Sequence, residues 1–248
     1  MLQEIQSRSA LLLGQASMQK LSTCRVIVFG VGGVGSWAAE ALVRTGLKHI
    51  TIVDSDEVAP SNINRQLMAN VSTIGKSKVD ALKEHLLLVN PEAEVTTING
   101  IYSAQTAEQF QLETYDYVVD CIDSLEHKVA LILHATSLPC EFYASMGAAL
   151  KLDPTKVSVA EFWKVKGCPL AAALRRRIKK GGRMPRKKFK CVYSEELLQN
   201  ATDVDLFLGG TWDDKKAQIN GSLMHITALF GMTLAGLILQ SIYNKTEK

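Results

Sequence analysis

The sequence predicts an α/β fold: a mainly parallel sheet covered by helices on both faces, extended by a C-terminal elaboration of strands and helices. Three observations carry this reading. Five short Val/Ile/Phe-rich runs alternate with helical patterns over the first 150 residues, a glycine-rich turn follows the first run directly, and the pattern changes after Leu150 with no linker. Runs that are apolar throughout, without polar alternation, are strands buried on both faces, as parallel sheets require.

The elements follow in order. The segment SALLLGQASMQKL has helical periodicity and leads into a strand at about Cys24 to Phe29. After GVGGVGSW comes a helix through about Thr45, then a strand HITIVD ending at Asp54. The polar loop SDEVAPSNINRQ precedes a helix SKVDALKEHLLLVN, which Pro91 ends because it has no N–H to donate. Further strands fall near EVTTI, YDYVVD and CEFYAS, with a helix SLEHKVALILHAT between the last two. Beyond Leu150, KLDPTKVSVAEF reads as a turn and strand, CPLAAALRRRIKK as a helix, GGRMPRKK as a flexible loop and FKCVYS as a strand, before a closing apolar helix. Residues 1–150 thus form the core, and 151–248 an elaboration within the same domain.

With 47% hydrophobic residues in 248, the chain can bury a full core. Its five cysteines, Cys24, Cys121, Cys140, Cys168 and Cys191, never form a C-x-x-C pair, which argues against a disulfide framework and a four-cysteine zinc site. Cys168 and Cys191 remain candidates for thiol chemistry, beside the commoner fate of inert core cysteines. The N-terminus lacks the basic-then-apolar pattern of a secretion signal, so a cytoplasmic location is expected. From Ala217 to Asn244 there is no charged side chain, and the length approaches a membrane span. Scattered Asn, Ser, His, Thr and Gln residues favour instead a buried helix or a dimer interface.

Charge is uneven. Arg175, Arg176, Arg177, Lys179, Lys180, Arg183, Arg186, Lys187, Lys188 and Lys190 fall in 16 residues without an acid, so this stretch supplies all the net basicity of a chain at +3. Such a block is either a solvated loop or a contact for a polyanion.

The glycine turn has the spacing G-x-G-x-x-G at Gly30, Gly32 and Gly35, with Gly33 inside it. The first glycine makes the turn, the second admits a phosphate to the backbone, and the third packs helix on strand, a Rossmann-like arrangement. The helix N-terminus then faces the anion. Asp54, ending the second strand, is the expected ribose ligand. These features serve NAD and an adenine mononucleotide equally. What separates them is the added set Asp56, Asn62, Arg65, Gln66, Lys78 and Asp123, at or near the C-terminal ends of the strands. Arg and Lys neutralise a triphosphate and Asp holds Mg²⁺, equipment for attack at phosphorus. Singly, each is as well explained as a cap or a surface charge.

GVGGVG, VDSDEVAPSNINRQ, GKSKV and VVDCIDS together resemble the adenylating domain of the ubiquitin-activating-enzyme superfamily, over roughly Arg8 to Ser145. The resemblance implies a Rossmann-like adenylating domain that uses ATP and Mg²⁺. It places Asp54 on the ribose, Asp56, Asn62, Arg65, Gln66 and Lys78 around the nucleotide, and Asp123 on the metal. It also implies a homodimer in which Arg8 reaches the partner's ATP.

The second half separates branches. LDPTKVSVAEF, KGCPLAAALRRRIKK, CVYSEE and NGSLMHITALFG resemble the tRNA threonylcarbamoyladenosine dehydratase branch, whereas activators of sulfur carriers usually add paired C-x-x-C motifs. That branch implies ATP-dependent cyclisation of the modified adenosine beside the tRNA anticodon, with the ten cations holding tRNA phosphates. Two rival readings stay open, an activator of a ubiquitin-like sulfur carrier and a nucleotide-binding adaptor without turnover. A sulfur-transfer protein partner also stays open.

Overall fold

The computed structural model describes residues 2–202 and 220–247. Seven strands form one sheet: β1 (Arg25–Phe29), β2 (His49–Asp54), β3 (Glu94–Asn99), β4 (Tyr117–Asp120), β5 (Glu141–Ser145), β6 (Val157–Glu161) and β7 (Lys190–Ser194). Their order is β3-β2-β1-β4-β5-β7-β6, parallel except for β6, which pairs antiparallel with β7 at the edge. The reversal of strand order at β1 and β4 opens a crevice at their C-terminal ends, where sheets of this kind bind ligands.

Helices α1 (Leu2–Ile5), α2 (Ser7–Thr23), α3 (Gly35–Thr45), α4 (Lys78–Val89), α5 (Leu125–Ala135), α6 (Pro169–Lys180) and α7 (Met224–Thr246) cover the sheet. Successive side chains of β1 serve opposite cores. Val26 and Val28 pack under α3, α4 and α7, while Ile27 and Phe29 pack under α5 and α6. This is the period-two consequence of a strand buried on both faces, and explains why the strand runs are uninterruptedly apolar.

Three departures from the sequence reading have physical causes. The N-terminal helix is kinked at Gly14 (φ 76°, ψ 162°), and ahead of the kink Leu11 and Leu12 stand out from the chain, 87% and 80% exposed. The connection from β3 to β4 contains two short 3₁₀ turns, Ala107–Phe110 and Leu112–Thr114, which plug Phe110 and Leu112 into the second core. The loop GGRMPRKK, read as flexible, is fastened near its end: Lys187 Nζ donates to the carbonyls of Leu138 and Cys140, and Phe189 enters the core.

The described part of the apolar run leads into α7, long and apolar enough by composition to cross a membrane but with half of its most apolar window buried, while Ala217, Gln218 and Ile219 lie outside the described residues. Ile226, Phe230, Leu234, Ile238 and Ile242 line the core face. Gly231 permits the close crossing with α3, since a Cβ there would lie 2.3 Å from the Val34 carbonyl and 2.8 Å from the Ala38 amide. The far end of α7 is clasped to β5 by Glu141, which accepts hydrogen bonds from Ser241, Tyr143 and Lys245.

Gly231→Ala is therefore expected to cost about 1–3 kcal/mol through overpacking at the crossing, read from urea unfolding. The Glu141 clasp makes a second prediction. Burial alone would raise its carboxyl pKa, but hydrogen bonds from Lys245, Tyr143 and Ser241 outweigh it and hold the value below the ordinary one. A depressed folded-state pKa gives stability that is present above the unfolded value of about 4.3 and lost as pH falls through the folded value. Glu141→Gln should flatten the fall of unfolding free energy in that acid window; an unchanged slope would remove the clasp from the acid response.

Candidate nucleotide site and basic helix

The glycine turn runs from β1 into α3. Gly30 takes φ 80°, and a Cβ on it would lie 2.7 Å from the Cys121 carbonyl, so only glycine fits between β1 and the loop after β4. A Cβ on Gly35 would fall 1.9 Å from the Gly30 carbonyl. Helix α3 has no side-chain cap, and its N-terminus opens onto the turn, leaving first-turn N–H groups for an anion. Ser36 and Trp37 brace the cradle: Ser36 Oγ donates to the Gly32 carbonyl and accepts from the Leu67 amide, and Trp37 Nε1 donates to the Arg65 carbonyl.

Asp54 ends β2 beside this turn, its side chain 11% exposed. It accepts from the amides of Val31 and Asp56, and Lys78 Nζ lies 3.9 Å away. Burial raises its pKa against the opposing pull of Lys78 and the two amides. Lys78 is itself buried and bonded at 2.7 Å to the largely exposed Asp56. Lys78 thus stands as a charge held at the edge of the crevice, not as a loose surface cation.

The loop between β2 and α4 brings the remaining residues alongside. Asn62 turns inward, its Oδ1 accepting from the Ala59 amide, so it shapes the loop. Arg65 Nη1 donates to the Ser61 carbonyl and Asn64 Oδ1. Burial lowers the Arg65 pKa while Asp123 acts against it; a guanidinium stays charged throughout. A Cβ on Gly33 would touch Arg65 Cγ at 3.2 Å and Thr227 of α7 at 3.3 Å. Gln66 is buried, with Oε1 lacking any partner, and a Cβ on Gly32 would lie 3.6 Å from its Nε2. A buried amide oxygen without a partner, next to a cradle that glycines keep open, fits a guest that offers a donor, such as a ribose hydroxyl or the amino group of a base.

Asp123 is exposed in the loop between β4 and α5, and Ser124 makes no side-chain cap to α5. The helix-cap explanation therefore does not account for this pair. Among the described residues there is no group of three or more His, Cys, Asp or Glu that could enclose a metal. A single carboxylate is the donor set by which Mg²⁺ binds together with substrate phosphates, rather than in a protein cage. Arg8 lies apart, exposed in the first turns of α2 ahead of the kink.

The ten cations divide. Arg175 Nη1 donates to the carbonyls of Phe162 and Val165, and Lys187 is anchored as described, so two of them serve the fold. Arg176, Arg177, Lys179, Lys180, Arg183, Arg186, Lys188 and Lys190 are exposed. Lys179 sits over the Trp163 ring at 5.7 Å, and Arg177 approaches Glu126 at 3.9 Å. A shallow cavity of about 360 Å³ is lined by Pro169, Ala172, Arg175, Arg176 and Lys179. Of the cysteines, Cys24, Cys140, Cys168 and Cys191 are buried and Cys121 half-buried. Burial pushes the Cys191 thiol up and that of Cys121 to about 12, both unfavourable to a thiolate.

Sequence reasoning did not single out Ser36, Trp37, Thr227, Asp120 or Lys128. Ser36 and Trp37 were signalled by their place directly after the glycines. Thr227 carries no local signal, because α7 reaches the cradle only through tertiary packing.

This glycine cradle on a β1–β4 crevice, with an acid, a buried lysine and an arginine converging on it, defines a nucleotide-binding α/β protein, and comparison with known proteins makes the class specific. The model of the ThiF family matches residues 6–248, and the chain belongs to that family. It is 40% identical over 190 residues to the tRNA threonylcarbamoyladenosine dehydratase of Bacillus subtilis, covering 77% of this chain and 74% of that protein. It is 34% identical over 249 residues to tRNA threonylcarbamoyladenosine dehydratase 2 of Saccharomyces cerevisiae, covering 94% of this chain and 55% of the yeast protein. Among solved structures it resembles the Escherichia coli tRNA N6-threonylcarbamoyladenosine dehydratase TcdA in complex with ATP, at a TM-score of 0.86 and 31% identity, covering 99% of this chain and 96% of that one.

The split within the basic segment is testable without any ligand. Arg175→Ala should lower the unfolding free energy by about 2 kcal/mol by orphaning two carbonyls, whereas Arg176→Ala should change it by less than about 0.5 kcal/mol. Equal effects in denaturant melts would undo the distinction.

Proposed function

We propose that this chain is an ATP-dependent tRNA threonylcarbamoyladenosine dehydratase, which cyclises the threonylcarbamoyl group of a modified adenosine beside the anticodon with net loss of water. The observation that carries the reading is the likeness to the ATP complex of TcdA over 99% of the chain, joined to a glycine cradle flanked by Lys78, Arg65 and the unpartnered amide oxygen of Gln66.

In this reading ATP lies with its phosphates on the turn Gly30–Gly35 and its ribose on Asp54. The threonyl carboxylate attacks the α-phosphorus, pyrophosphate leaves, and a carbamoyl atom of the same nucleoside then closes on the activated carbonyl, releasing AMP. Because the nucleophile is tethered, no enzyme thiol is needed, which agrees with the burial of the cysteines. Arg65 and Lys78 offset charge that grows on the phosphates. Mg²⁺, when bound, would be held through Asp123 and would supply further charge neutralisation.

The exposed cations of α6 and the loop behind it would hold tRNA phosphates, the cavity beside Arg176 and Lys179 offering one such seat. A homodimer belongs to the same reading, supported by the exposure of Leu11 and Leu12 next to Arg8, which would then serve the partner's nucleotide. A cytoplasmic setting is part of it as well. A sulfur-transfer partner has little support, since four of the five cysteines are buried.

Exchange of labelled pyrophosphate into ATP should depend on tRNA carrying threonylcarbamoyladenosine. Exchange driven only by a small carrier protein would replace this reading with activation of a sulfur carrier, and ATP binding without any exchange would favour an adaptor. Asp123→Ala should reduce exchange by roughly 100-fold or more with the unfolding midpoint unchanged. Joint neutralisation of Arg176, Arg177, Lys179 and Lys180 should weaken tRNA binding and lower its salt slope by about 0.7–0.9 per lost contact, leaving ATP affinity intact.

A further inference from the structure

Asp120 and Lys128 form an ion pair at 2.9 Å, both side chains fully buried at the C-terminal end of β4. The nucleotide reading uses neither. A buried pair of this kind is seldom a net source of stability relative to apolar residues of the same size, so its geometry calls for a reason.

That geometry converges on the exit from β4. Lys128 Nζ has three N–H donors, and they go to Asp120 Oδ1, the Ile122 carbonyl at 3.0 Å and the Asp120 carbonyl at 3.4 Å. Asp120 Oδ1 also accepts from the Ile122 amide at 3.0 Å. Every acceptor of the ammonium therefore lies in residues 120–122, immediately before Asp123. Between them, the Cys121 amide bonds to the Phe29 carbonyl, and the Cys121 carbonyl is the group pressed against Gly30. One buried cation thus sets the loop that carries Asp123 and, through Cys121, its distance from the glycine turn.

We infer that Lys128, with Asp120 as its counterion, is a positioning residue that presets the Asp123 loop against the glycine cradle, so that the carboxylate meets a phosphate-bound magnesium ion without reordering. The inference rests on the reading of Asp123 as the metal carboxylate. Both side chains are fully buried, and they act through the backbone of Ile122, which lies between Cys121 and Asp123. A core-filling role would have no reason for the ammonium to bond the Ile122 carbonyl while its counterion accepts from the Ile122 amide, and it predicts no selective effect on metal.

The test compares the uncharged double variant Asp120→Asn, Lys128→Met with Asp123→Asn and with the unaltered chain. Calorimetry measures ATP affinity in EDTA and the Mg²⁺ concentration that half-maximally strengthens it. The double variant should raise that Mg²⁺ concentration roughly 10-fold or more, as loss of a supporting partner does at metal sites, while EDTA affinity stays within about twofold. A Mg²⁺ requirement that shifts in Asp123→Asn but not in the double variant overturns the positioning role alone. One that shifts in neither overturns the assignment of Asp123 and this inference with it. Equal loss of ATP affinity with and without metal marks a merely structural pair. If the double variant does not fold, hydrogen exchange on the unaltered chain decides: the Ile122 amide should be protected before ligand is added, to within about 10-fold of Val119, and free exchange at Ile122 would overturn a preset loop.

Discussion

The molecule is organised around a place where three stretches of backbone come closer than any side chain allows. At Gly30 the chain leaving β1 meets the Cys121 carbonyl beyond β4, and at Gly35 the start of α3 folds back on the Gly30 carbonyl. These contacts bring the mouth of the β1–β4 crevice together with the N-terminus of α3, so that the amides of a helix and the loops of two strands face one volume. The third close approach, Gly231 of α7 against Val34 and Ala38, seats the longest helix on the same turn from outside. Pieces as distant in sequence as Gly33, Arg65 and Thr227 share a wall because glycine backbones leave room for them.

Charge is graded around this mouth from buried to exposed. Asp54 and Lys78 are nearly buried, Asp56 and Asp123 stand at the rim, and Arg65 lies between. Fixed charges in a partly desolvated crevice act more strongly on a phosphate chain than the same charges in solution, and they need not reorganise as charge shifts. The Asp120–Lys128 pair lies one layer deeper, where an ion can hold backbone without competing for the ligand. The remaining large charge, on α6 and the loop behind it, belongs to the opposite face of the sheet from α3, α4 and α7. The two faces still meet at the start of α5, where Arg177 of α6 approaches Glu126 at 3.9 Å in the first helical turn after Asp123.

Much of this was legible in the chain itself. All seven strands and the helices over the core are marked by runs of the right period, and the glycine spacing together with Asp54, Arg65, Lys78 and Asp123 points to the crevice. Residues outside that legibility share a feature: their role depends on partners far away in sequence. Lys128 reads as one more charge on an amphipathic helix, yet it is fully buried on Asp120. Arg175 and Lys187 read as members of a uniform basic block, yet their donors turn inward to carbonyls of Phe162, Val165, Leu138 and Cys140. Composition counts charges without revealing which way they point.

The fold class and the residues gathered at the crevice could be read from the chain, because periodicity and turn residues act locally and because the glycine motif is a short continuous segment. Tertiary structure alone decided that β7 inserts between β5 and β6, that α7 packs on α3 and braces the glycine turn, and which cations remain exposed. Those outcomes depend on long-range contacts whose energies are sums over many atoms, so no short stretch of residues encodes them singly.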